Sequence, residues 1–108
     1  LSSAASDVYK RQAYALSDKW EEAALRWKHV YENSSRWKER AKAASNLALY
    51  YEMKTQLKEA YNWAAKSYEI FNSKKGEDYN YTKMQRLYVE ALGKRIRSDQ
   101  KLNKQFGE

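Results

Sequence analysis

The stretch KAASNLALYYEMKTQLKEAYNWAAKSYEIFN, residues 42–72, decides the fold. Its first half repeats small and apolar residues at Ala44, Leu47, Ala48 and Tyr51, continuing an upstream series through Trp37 and Ala41. The intervals of three and four put these side chains on one face of a helix. Its second half does the same with Leu57, Ala60, Tyr61, Ala64, Tyr68 and Phe71. The connection around Lys54 and Thr55 is too short for anything but a reversal, and Thr55 is expected to cap the second helix. Two helices joined this way pack antiparallel.

The same texture extends in both directions. Upstream, Trp20, Ala23, Ala24, Trp27, Val30 and Tyr31 form another stripe, with Asp18 and Glu21 placed as a capping pair and Asn33-Ser34-Ser35 as the turn. Downstream, a break over Asn72–Asp78 containing Gly76 precedes a long stripe of Tyr81, Met84, Leu87, Tyr88, Ala91, Leu92 and Ile96. Gly93 lies inside that pattern and costs the helix about 1 kcal/mol relative to alanine. Expected helices are therefore 18–32, 36–54, 56–72 and 79–103. With no proline, three glycines and 16 aromatic residues in 108, the chain reads as all-α, with rings supplying most of the core.

The helices also repeat. Asp18-Lys-Trp-Glu-Glu-Ala-Ala-Leu-Arg-Trp aligns with Thr55-Gln-Leu-Lys-Glu-Ala-Tyr-Asn-Trp-Ala, placing Ala23 and Ala60 in register 37 residues apart. Such a period belongs to stacked helical hairpins. Asn46-Leu47-Ala48, Tyr51 and Ala60 resemble the two-helix signature of the tetratricopeptide repeat, although Ser67 stands where alanine is usual and no terminal proline follows. Residues 44–71, with the helix around Arg95-Ile96-Arg97, further resemble the C-terminal region of uncharacterised Bacteroidota-type tetratricopeptide lipoproteins. The resemblance implies a solenoid of antiparallel hairpins ending in a long capping helix, a bacterial cell-envelope location and a protein or peptide partner.

Little in the chain points to catalysis. Cysteine is absent, and His29, the only histidine, has no partner at a spacing suited to acid–base work or metal binding. No phosphate-cradling glycine loop or nucleophile elbow occurs, and Glu21-Glu22 suits a helix N-terminus. The expectation is a non-enzyme without cofactor or metal. No apolar run reaches the roughly 20 residues of a membrane span. Trp20, Trp27, Trp37 and Trp63 fall on the buried stripes, which favours core packing over base stacking.

Two surfaces remain as binding candidates. The resemblance implies a concave groove lined by Lys42, Ser45, Leu49, Glu52 and Met53 with Thr82, Gln85 and Val89. Asn46 stands where related domains hold a peptide backbone or carboxylate, while Thr82 and Arg86 leave a carboxylate-gripping set incomplete. The second surface is the basic run Lys94, Arg95, Arg97, Lys101 and Lys104, set against one acid, Asp99, in a chain of net charge +7. Cations favour a helix C-terminus. They also suit an acidic protein, an anionic envelope surface or nucleic acid, the last without any recognition motif. The leading expectation is a protein-interaction scaffold; the alternatives are an electrostatic binder and a purely structural cap.

Residues Ser2–Gln12 back-translate, codon for codon, into a sequence resembling a transposase sequencing adapter. Residues 1–12 are therefore expected to be non-native, and 13–108 to be a fragment of a longer repeat protein. A first helix deprived of its upstream partner predicts an uncovered apolar edge and self-association.

Overall fold

The computed structural model describes residues 19–106, so the expected adapter-derived segment 1–12 and the Asp18 cap lie outside the described residues. Four helices occupy the described chain, with no strand among them: α1 over 19–33, α2 Trp37–Met53, α3 Leu57–Lys75 and α4 Asn80–Gln105.

Contacts fix their directions. Trp37 meets Phe71, the Ser67 hydroxyl donates to the Ala41 carbonyl at 2.9 Å, and Ala48 shares a cluster with Ala60, so α2 and α3 run antiparallel. Trp20 stacks near Tyr50, and the Arg40 Nε donates to the Tyr31 carbonyl at 2.8 Å, so α1 and α2 are antiparallel too. Gly93 approaches Tyr61, and Tyr81 stacks on Phe71, which sets α4 antiparallel to α3. Side chains also bridge α2 to α4 and α1 to α3: Gln85 to Ser45, and Tyr31 edge-on to Trp63 at 5.0 Å.

The core is built from small residues. Ala41, Ala44, Ala48, Ala60, Ala64 and Ser67 are completely buried, and Leu47 and Leu92 are the large aliphatic side chains sealed to the same degree. Alanines let the backbones approach closely, while Trp20, Trp27, Tyr51 and Trp63 close the margins as half-buried rings. Helix α2 is enclosed on two sides. Leu47 and Tyr50 pack against Ala24, Trp20 and Trp27 of α1, and Ala48 packs against α3. The strip left open, Lys38, Lys42, Ser45, Asn46, Leu49 and Met53, follows from spacings of four, three, one, three and four.

Three local expectations are corrected. Thr55 does not cap α3; Gln56 occupies that position without a side-chain cap bond. Thr55 adopts a left-handed φ of +59°, its N–H donating to Glu52 and that of Gln56 to Tyr51, the closure that ends a helix in a tight reversal. Helix α3 continues through Asn72 to Lys75 and stops at Gly76, whose φ of +83° favours glycine. The largest difference is in α4. Of the expected stripe, Leu92 is buried and Tyr88 and Ile96 are half-buried, whereas Tyr81, Met84, Leu87 and Ala91 are exposed and Thr82, Gln85 and Gly93 turn inward in their place. Gly93 lies against the Tyr61 ring, which would stand 3.4 Å from an added methyl group, at van der Waals contact.

Candidate functional site

Between the open strip of α2 and the start of α4 lies a groove of about 360 Å³. Lys38, Lys42, Ser45 and Asn46 form one wall; Tyr79, Tyr81, Met84 and Gln85 form the other, with Phe71 closing the end. The aromatic end arises because the α3–α4 loop brings Tyr79 and Tyr81 within 6.0 and 5.6 Å of Phe71, ring to ring. The polar floor arises because Gln85 turns inward and its Nε2 donates to the Ser45 hydroxyl at 2.9 Å. Gln85 is 9% exposed and its Oε1 has no partner. An acceptor enclosed in this way favours an incoming N–H. Lys42 carries no carboxylate against it among the described residues, and Lys38 lies over the Trp37 ring at 5.6 Å. The groove thus offers cationic, amide and aromatic surface together.

The sequence-derived lining divides. Lys42, Ser45, Asn46 and Gln85 come together in this groove. Leu49, 46% exposed, and half-buried Met53 continue the same face of α2 beyond it. Thr82 is completely buried, its hydroxyl unpartnered. Glu52 accepts hydrogen bonds from Tyr88 and from Arg95, the latter at 2.6 Å, and so bolts α2 to α4. Val89 faces α3 and lines a separate depression with Tyr61, Glu90, Gly93, Lys94 and Arg97. Lys38, Phe71, Tyr79, Tyr81 and Met84 were not anticipated as lining. Lys38 was readable, since it precedes Lys42 by one helical turn. The tyrosines depend on the loop's path, which no periodicity carries.

Within the basic run, Arg95 is engaged by Glu52, while Lys94, Arg97, Lys101 and Lys104 are exposed without a carboxylate partner among the described residues. His29 is exposed; the Asn33 side-chain amide donates to its carbonyl oxygen at 2.9 Å and lies 3.2 Å from Nδ1. Among the described residues no three acidic, histidine or cysteine side chains gather as metal ligands, and no helix is long and apolar enough to cross a membrane.

Polar clusters brace the groove from outside. The Tyr68 hydroxyl donates to Glu77 at 2.6 Å and Arg86 pairs with the same carboxylate at 2.8 Å, fixing the α3–α4 loop. The tyrosine's hydrogen bond first, and Arg86 after it, hold the Glu77 carboxyl below its ordinary value, while the bond to Glu77 pushes Tyr68 up. Across α1 and α2, the Tyr50 hydroxyl and then Lys54 lower Glu21, while burial and then Glu21 raise Tyr50.

Residues 9–94 match the model of a family described as a domain of unknown function (DUF6340). No curated protein and no solved structure matches the chain.

Proposed function

The chain belongs to the DUF6340 family, whose description assigns no activity, and we propose that it is a non-catalytic protein-interaction scaffold that receives a peptide segment between α2 and α4. The observation that carries this reading is the groove, with Gln85 Oε1 unpartnered and Lys42 without a carboxylate. An extended peptide supplies the N–H that Gln85 lacks and apolar side chains for the Phe71–Tyr81–Met84 end. In this reading the helices are hairpins of the tetratricopeptide kind, α2 and α4 being the first helices of successive pairs. The test titrates a partner co-purified with the full-length protein against groove variants. Asn46→Ala and Gln85→Ala should each weaken binding about five- to tenfold, and Met53→Ala less. Undiminished affinity after combined substitution of Lys42, Ser45, Asn46 and Gln85 rejects the site.

A second reading rests on the exposed cations of α4, which suit nucleic acid or an anionic surface. It requires affinity for duplex DNA or anionic vesicles that falls steeply with salt; affinity unchanged from 50 to 300 mM salt, on the order of a twofold change in screening length, rejects it.

A further inference from the structure

Helix α4 has an outward face that none of α1–α3 covers. Met84, Leu87 and Leu102 are 59%, 63% and 51% exposed, and their spacing of three and fifteen puts all three on one side of the helix, with Ala91 and Ser98 between them. From Ser98 through Phe106 every residue is exposed, so the last turns project beyond the other helices. Helical order in water draws mostly on packing of an amphipathic face, and this segment packs against nothing among the described residues.

We propose that this face docks an amphipathic helix of a partner protein whose flanks are acidic. Two features favour that occupant. Lys83, Lys94 and Lys101, all exposed and without a carboxylate within ion-pair distance, run along one edge of the stripe at intervals of eleven and seven with the single acid Glu90 among them, so the edge is net positive and the complementary flank is negative. The small Ala91 and Ser98 between bulky Leu87 and Leu102 form a saddle that a second helix can approach closely. A bilayer has no use for such a saddle and is better served by large side chains throughout. A second copy of α4 would set these lysines against each other. Met84 borders the α2–α4 groove, but Leu87, Ala91, Ser98 and Leu102 lie outside its lining, and substitutions at Leu87 and Leu102 therefore test this surface separately from the peptide groove.

The experiment uses the full chain and two synthetic amphipathic helices with the same leucine stripe, one flanked by glutamates and one by lysines, followed by fluorescence anisotropy. The glutamate-flanked helix should bind at least tenfold more tightly than the lysine-flanked one. Leu87→Glu with Leu102→Glu should abolish that binding, with unchanged helicity by circular dichroism. Lys83→Glu with Lys94→Glu and Lys101→Glu should invert the preference, and Asn46→Ala should leave it intact. Equal affinity for the two helices overturns the proposal. So does capture of the chain by phosphatidylglycerol vesicles without selective helix binding, or a dimer in sedimentation that Leu87→Glu dissolves.

Discussion

At the scale of single residues, two buried polar atoms, Thr82 Oγ1 and Gln85 Oε1, have no partner among the described residues. Thr82 is sealed in the α4 interface with its hydroxyl unpartnered, and replacing it by valine of similar shape removes a desolvated polar atom. Thr82→Val should stabilise the fold by about 1 kcal/mol, read from the denaturant midpoint at constant slope. Glu77 behaves differently because its partners are present. Its carboxyl is lowered by Tyr68 and Arg86, so the stabilisation it gives is complete above the ordinary value of 4.5 and is lost as pH falls through the lowered one. Tyr68→Phe should move the Glu77 titration upward in carboxyl NMR and make the acid loss of stability smaller, ending at a higher pH. An unmoved titration would detach Tyr68 from the loop. Sequence reading recognised neither role: Thr82 was assigned to a groove wall, and Glu77 fell unremarked within the break over Asn72–Asp78.

At the scale of elements, helix positions were legible because small and aromatic residues recur at three and four over most of α1, α2 and α3. Ala41, Ala44, Leu47, Ala48, Ala60, Ala64 and Phe71 are buried as that pattern requires. Helix α4 broke the inference because it carries two candidate faces. The buried face keeps Leu92, which enters the alanine cluster, but runs on through Thr82, Gln85 and Gly93 and leaves Met84, Leu87 and Ala91 outside. Gly93 still costs helix stability, and an added methyl group meets only the Tyr61 ring edge and the mobile end of Arg97, at 3.4 and 3.3 Å. Gly93→Ala should therefore be neutral or stabilising by up to about 1 kcal/mol. Gly93→Leu should destabilise by about 1–3 kcal/mol through overpacking. Thermal melts of the two variants separate propensity from packing.

At the scale of the whole molecule, α2 and α4 meet along a seam. Where α2 and α4 meet, the contacts are polar bridges, Gln85 to Ser45 and Glu52 to Tyr88 and Arg95, and the groove opens beside them. Lys42, Ser45, Asn46 and Gln85 were anticipated as one surface only through what the tetratricopeptide resemblance implies. The aromatic end was not, because the paths of Tyr79 and Tyr81 are set by the turn at Gly76 and by stacking on Phe71. Amide hydrogen exchange on the full-length protein, alone and saturated with its co-purified partner, tests the groove most directly. The account predicts added protection over residues 38–46 and 79–85. Protection confined to α1 and α3, with 38–46 unchanged, would contradict it.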